Sequence, residues 1–324
     1  MLAAGICKEC RQGAPRRHAR LPVWHTPACD IESGHQAQCC CESWKSFCPD
    51  LSLSLKPDNV CVAGCHAGVG TPMENESKRP RNWFSQGGEA YARFRPTYPP
   101  ELARFLAGLA PGRALAVDVG CGSGQLTGLL GEHFGMVLGL DPSAAQLASA
   151  VPHPQVGYVC AAAECLPVAD GGADLITVAQ AAHWFDLSRF YAEVRRAAAP
   201  GAVLALLSYG APRLDETLSA RFGRFYADEI GPFWPAERKL VDGGYADLPF
   251  PFDEHAVPPM EIHAAWKLEE LLGYISTWSA VRKAREAGRE HLLTAFSVDL
   301  AELWGSPGLR RHVRWPIRMR LGRL

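Results

Sequence analysis

Asp118, Gly120, Gly122 and Gly124, spaced D-x-G-x-G-x-G, and Asp141, 17 residues after the last glycine, are the residues of this 324-residue chain that read most directly as chemistry. A strand that feeds a glycine turn and a helix start is how an open α/β sheet builds a nucleotide pocket. Glycine allows the sharp turn and lets a ligand approach the backbone where a Cβ would block it. An acid ending the next strand offers two acceptor oxygens to the two donating hydroxyls of a ribose. The dinucleotide pattern G-x-G-x-x-G wants its third glycine where Gln125 stands; here the glycine falls one residue early.

Asp118-Val119-Gly120-Cys121-Gly122-Ser123-Gly124 resembles motif I of the class I S-adenosylmethionine (SAM) methyltransferases almost letter for letter. The resemblance implies SAM as cofactor and an α/β, Rossmann-like fold: a seven-stranded, mostly parallel sheet with helices on both faces and a helical, aromatic cap insertion. Without a pyrophosphate to cradle, the loop would wrap the methionine end of the cofactor. Asp118, Gly120, Cys121, Gly122, Gly124 and Gln125 would surround that end, with Asp141 on the ribose. Asp141 reads equally as the N-cap of a helix over Pro142–Ala150, and the two roles are compatible. Ala161–Pro167 resembles the family's adenine-contacting loop and brings in Ala163 and Glu164. Many members carry an Asp where this chain has Ala162, so the Ala163 backbone has more to do. Glu164 reads equally as a solvent-facing residue.

Ala179 and Gln180 directly follow the fourth predicted strand, at the carboxyl edge where open α/β sheets hold ligands. Beyond them, no Asn/Asp-Pro-Pro-aromatic motif appears, which argues against methylation of adenine or glutamine amino groups. Gln180-Ala181-Ala182-His183-Trp184-Phe185-Asp186 instead resembles a type 11-like branch of the family that contains trans-aconitate methyltransferase. That resemblance implies a small-molecule acceptor, a small carboxylic acid converted to its methyl ester. A carboxylate is ionised at neutral pH and wants a cationic or hydrogen-bonding clamp, for which Tyr91, Arg95, His183 and Arg282 are candidates. With a hydroxyl or carbon acceptor, His183 becomes a candidate base. A lipid or quinone acceptor, or SAM binding without turnover, are the alternative readings.

The elements that must position these residues follow from periodicity. Leu115–Val119, Met136–Asp141, Val156–Cys160, Ala173–Val178 and Ala202–Ser208 read as short buried strands. Helices are predicted at Glu101–Leu109, Leu126–Glu132, Leu187–Ala198 (capped by Asp186) and Leu214–Ile230. Residues 210–256, dense in aromatic residues and proline, are too long for a connector and read as a cover over the acceptor pocket. A strand at Val257–Trp266, helices at Leu268–Ala284 and Glu290–Trp304, and an alternating last strand around Val313–Leu321 complete the domain. Pro316 should mark a bulge or an end in that strand. Its row of arginines reads as a solvated face, not as a nucleic-acid surface.

The domain is expected to span 73–324. Residues 1–72 form a Cys- and Pro-rich extension expected to be disordered, with translation starting at Met73 as a sharper variant. Cys7-x-x-Cys10 and Cys61-x-x-x-Cys65-His66 lie too far apart for an ordinary zinc site, so no metal is expected. Trp83–Tyr98, aromatic and basic, reads either as a packed arm or as a lid carrying Tyr91 and Arg95. A formal net charge of -1 gives no pull toward nucleic acid or anionic membranes. No apolar run nears the roughly 20 residues a bilayer span needs, and no signal peptide is evident, so a cytoplasmic enzyme is expected, its oligomeric state open.

Overall fold

The computed structural model describes residues 95–324, together with two short extended pieces at Trp24–His25 and Cys61–Val62, the second paired with the edge of the sheet. Tyr91 and, apart from those two pieces, the Cys- and Pro-rich extension with its candidate zinc half-sites lie outside the described residues. Between 95 and 324 the strands are β1 (Leu115–Val119), β2 (Met136–Asp141), β3 (Val156–Cys160), β4 (Ala173–Ala179), β5 (Ala198–Tyr209), β6 (Asp253–Glu254), β7 (Met260–Trp266) and β8 (Arg311–Arg323). They lie in the order β3-β2-β1-β4-β5-β8, with β6 and β7 both on β8. The first five run parallel, and β8 is antiparallel to β5, β6 and β7. The predicted Rossmann-like architecture is thus present, with β6 as a two-residue addition.

Both faces of the parallel part of the sheet are buried, which explains why β1–β5 are largely apolar rather than alternating. Ala116, Val137, Leu175 and Val203 pack on one face against Leu102 and Leu106 of α1 (Pro100–Leu109) and Leu126 and Leu130 of α2 (Gln125–Gly131). Val117, Leu138, Ile176 and Leu204 pack on the other against Phe190 and Val194 of α4 (Leu187–Ala197). Asp186 caps α4 as expected, its Oδ1 accepting from Arg189 N at 3.2 Å. The helix predicted over 142–150 shrinks to α3 (Ala144–Leu147), and its N-cap is Ser143, not Asp141.

Beyond β5 come α5 (Glu216–Arg224), a π-helical turn at Phe225–Glu229, and α6 (Arg238–Asp242). The helix expected at 268–284 divides into α7 (Leu268–Ser276) and α8 (Ser279–Glu286), because Trp278 takes an extended conformation and begins the second. α9 (His291–Trp304) precedes β8.

Pro316 lies inside β8, neither at a bulge nor at its end, in register with Glu261. Arg314 exchanges hydrogen bonds with Arg213, so an N–H two residues on would aim at the same side. Pairing with β5 begins only at Ile317, opposite Tyr209, and proline there gives up no ladder bond. The arginine row is largely ion-paired: Arg311 meets Asp215 at 2.7 Å, Arg320 meets Glu254 at 2.7 Å and Arg314 meets Glu261 at 3.7 Å. No helix among the described residues is long and apolar enough to cross a membrane.

Candidate functional site

The loop after β1 owes its shape to its glycines. Gly120, Gly122 and Gly124 have φ of 70°, 58° and 81°, the left-handed region that costs other residues about 1–2 kcal/mol. At the outer two, space is also short: a Cβ on Gly120 would strike Ala181, and one on Gly124 would strike the Tyr158 hydroxyl. Gly122 differs, since a Cβ there meets nothing within 4 Å. That side of Gly122 is open space, at the carboxyl edge of the sheet. Gly120 N and Cys121 N donate to Leu140 O at 2.7 and 2.9 Å, tying the loop to β2.

Asp141 completes that tie. Its Oδ2 accepts from Gly122 N at 2.9 Å and its Oδ1 from Ser143 N at 2.8 Å. Each oxygen keeps a further lone pair for a hydroxyl donor. Burial pushes the carboxyl above its ordinary range, opposed by those two backbone donors.

Asp118 stands elsewhere than the sequence suggests. It is 1 % exposed beneath the loop, its Oδ2 accepting from Thr127 Oγ1 at 2.6 Å and its Oδ1 from Thr177 Oγ1 at 2.8 Å. It therefore supports the loop from below and does not line its open side. Burial raises it to about 6, with the two threonine hydroxyls opposing the rise. Cys121 also turns its side chain inward, and burial, then Asp118 and Asp141, push its thiol up, which keeps it neutral. Only its backbone belongs to the loop surface. Gln125 opens α2, half-buried.

The segment 161–168 is held from behind by α4. Arg196 donates from Nη1 to Val168 O at 2.7 Å and from Nη2 to Leu166 O at 2.9 Å, while Glu193 accepts from Leu166 N at 2.9 Å. Ala163 is buried and Ala162 exposed. Glu164 is not simply solvated: its Oε1 accepts from Asp186 N at 2.9 Å and ties this loop to the turn after β4.

At the end of β4, Ala179 is followed by Gln180, a non-glycine residue with φ of 62°. The strain is held by two bonds, Gln180 N to Leu207 O at 2.9 Å and Nε2 to Tyr209 O at 2.8 Å. The chain then makes a 3₁₀ turn, Ala182–Trp184, that presents His183. His183 Nδ1 lies 3.0 Å from the Tyr245 hydroxyl, itself 0 % exposed. Burial, then the nearby Arg238 guanidinium, push the imidazole down to about 4, so it is neutral at physiological pH.

Beside His183 the segments after β5 assemble a packed aromatic cluster. Arg238 donates from Nε to the Tyr226 hydroxyl at 2.9 Å, pairs with Asp242 at 2.9 Å and stacks on Trp234 at 4.6 Å from the ring centre. Trp278 packs against Tyr226, Trp234 and Tyr274, with ring centres 5.4–5.7 Å apart. Arg95 stands 5.5 Å over Tyr274, and Tyr98 packs edge-on to Tyr209. Arg282, on α8, meets Glu286 at 3.9 Å.

The segment read as a cover divides. Its first part, through Tyr245, builds this cluster. Residues 249–254 instead run to the far end of the sheet: Pro249 O accepts from Tyr191, Pro251 O from Arg195, and β6 pairs with Gly322 and Arg323. A concavity of about 600 Å³ there, lined by Arg195, Pro200, Phe250, Phe252 and Arg323, contains neither the glycine loop, nor Asp141, nor His183 and the cluster beside it.

Sequence reasoning missed Arg238 and Arg196, and took Tyr245 only as one of the aromatic residues of the cover. The signal for Asp118's partners was an acid inside an apolar strand, which requires buried donors such as Thr127 and Thr177.

Comparison with known proteins agrees with this geometry. A family model described as a methyltransferase domain matches residues 117–206. A protein of Dictyostelium discoideum named as a methyltransferase is 34 % identical over 240 residues, covering 73 % of this chain and 89 % of the relative. One of Mycobacterium tuberculosis, named an uncharacterized methyltransferase, is 38 % identical over 125 residues, 38 % of this chain and 51 % of the relative. The solved structure of a protein from Anaeromyxobacter dehalogenans, described as a type II methyltransferase, superposes with a TM-score of 0.67 at 44 % identity, covering 71 % of this chain and 98 % of that one.

Proposed function

The chain belongs to the class I SAM-dependent methyltransferases, and from that premise we propose that it transfers the methyl group to a small carboxylic acid, forming an ester. The residues present fit the cofactor. Gly122 leaves its side of the loop open, and Asp141 keeps free lone pairs beside it for ribose hydroxyls. The backbone at Gly120–Gly124 would hold the amino-acid end, and Ala163 and Glu164 would border the adenine with their backbone. Ala179 and Gln180 end the strand between the two halves of the site.

When bound, SAM supplies a methyl group on a sulfonium, an electrophile that is already activated. The chain is then asked for alignment, and holding the acceptor in near-attack geometry is worth on the order of 7 to 11 kcal/mol at best. An ionised carboxylate needs no proton removed before it attacks.

The observation that carries the acceptor class is the set of donors beside the glycine loop. Gly120 abuts Ala181, one residue from the turn that presents His183. Next to that turn stand the Arg238 guanidinium, paired with Asp242, a neutral imidazole and a cluster of aromatic rings, with Arg95 over the Tyr274 ring of the same cluster. Guanidinium and N–H donors among aromatic rings suit an anion better than a cation or a long apolar chain. Trans-aconitate itself is one acid of this class, in line with the branch that Gln180–Asp186 resembles.

The test is transfer of isotopically labelled methyl from SAM to a panel of small mono-, di- and tricarboxylates, with a quinol and a phospholipid for comparison. A base-labile labelled ester is expected. Label in the quinol or lipid alone would overturn the reading.

A further inference from the structure

The Tyr245 hydroxyl is wholly buried and carries one proton that must be donated somewhere. Among the described residues its side-chain partner is His183 Nδ1, at 3.0 Å, while the Ala182 amide can only donate to the same oxygen and so cannot take that proton. Were Nδ1 protonated, the phenol would accept and its own proton would be left buried and unmade. Donation by the phenol to Nδ1 satisfies both groups and places the imidazole proton on Nε2. The Ala182 amide, which favours negative charge on the same phenol oxygen, suits an oxygen that donates its proton toward His183.

The backbone of Tyr245 is built for this contact. Its φ of 62° is in the left-handed region, uncommon for an aromatic residue. Both of its backbone polar groups are pinned: its N–H donates to Leu240 O at 2.8 Å, and its carbonyl accepts from Arg320 Nη1 at 3.0 Å. A strained conformation fixed from two sides, with the phenol set against a site imidazole, is the pattern of stored strain used to hold a functional group. The charge that faces His183 is Arg238, on α6, which disfavours a second proton on the ring.

We propose that Tyr245 is a positioning residue that fixes His183 in its Nε2–H form, so that His183 meets the acceptor as a neutral hydrogen-bond donor and takes no proton from it. The donor half of this statement rests on the carboxylate acceptor argued above. The tautomer half does not. An Nε2–H suits an ionised oxygen, and with no lone pair left at Nε2 the ring cannot take the proton of a hydroxyl acceptor there. The same ring as base would require the other tautomer and the loss of the phenol's bond.

Nitrogen-15 spectra of the full chain labelled at histidine decide the tautomer, with H183Q assigning the resonance. The expected result is an unprotonated Nδ1 and a protonated Nε2 in the wild type, and a mixture of the two forms in Y245F. Protonated Nδ1 in the wild type, or a tautomer unmoved in Y245F, would overturn the proposal, and the wild-type spectrum alone decides it if Y245F does not fold. The role is read by methyl transfer to the acid panel. H183F should lose about tenfold or more of kcat/KM, mainly through KM, and H183Q, whose amide keeps an N–H near the Nε2 position and has no basic nitrogen, should lose several-fold less than H183F. H183Q as inactive as H183F would overturn the donor role. No transfer to any acid by the wild type would overturn the acceptor reading and the donor role with it, whatever the tautomer.

Discussion

The carboxylate of Asp141 accepts the backbone N–H of Gly122 at 2.9 Å. One side chain at the end of β2 thus fixes the middle glycine of the loop after β1 and keeps a further lone pair on each oxygen beside it. The loop and the acid, separated in sequence, act as one structure, and substitutions in the two should be read together.

The three loop glycines should respond differently to alanine. G124A places a Cβ against Tyr158 in addition to its backbone strain, so it should cost more than the roughly 1–2 kcal/mol of the left-handed conformation and lower the melting temperature clearly. G122A meets open space and should cost only about that backbone amount, yet fill part of that space and weaken SAM binding. Calorimetric binding alongside thermal unfolding checks this. Loss of stability in G122A as large as in G124A would contradict the assignment of Gly122's free face to the ligand.

Asp118 makes stability pH-dependent. Its carboxyl is raised from 3.8 to about 6, chiefly by burial, so the protonated form favours the fold. That contribution is complete below about pH 4 and lost as the pH rises through 6, about 3 kcal/mol for a shift of about two units. His183 acts in the opposite sense: lowered from 6.5 to about 4, it contributes stability that is present above 6.5 and lost as the pH falls. D118N removes the first effect and keeps an acceptor oxygen for one threonine. It should be at least as stable as the wild type at pH 7.5 and lose stability more steeply on acidification. Parallel urea-unfolding midpoints for the two proteins between pH 4.5 and 7.5 would contradict this.

Arg196 holds the 161–168 loop through two carbonyls at once. R196A should destabilise the protein by about 2 kcal/mol, the worth of hydrogen bonds to a charged group, and weaken SAM binding through the loop. R196K restores the charge but not the planar fork, so it should recover only part of both. Unchanged SAM affinity in R196A would remove the loop from the cofactor site.

What was legible in the sequence is what is local in the chain. The motif at Asp118–Gly124 and the acid at 141 sit on adjacent parallel strands, and their meeting follows from the fold class alone. Periodicity likewise located each long strand. Less legible was direction: D-x-G suggests an acid facing the ligand, whereas alternation along β1, with both faces buried, turns Asp118 under the loop toward Thr127 and Thr177. Arg238 and Tyr245 were not legible because they come from an insertion after β5 with no periodic signature, and only its return over the β4 turn brings them to His183. The same insertion carried Phe250 and Phe252 into the cover by composition, although tertiary packing takes them to the opposite end of the sheet beside Tyr191.

The most direct measurement of the central claim is calorimetric titration of SAM into the wild type and D141A. The account predicts saturable one-site binding by the wild type and a loss of about 1.5 to 3 kcal/mol in D141A, from charge-assisted hydrogen bonds to the ribose and from the freed Gly122 amide. An unchanged dissociation constant in folded D141A would contradict it.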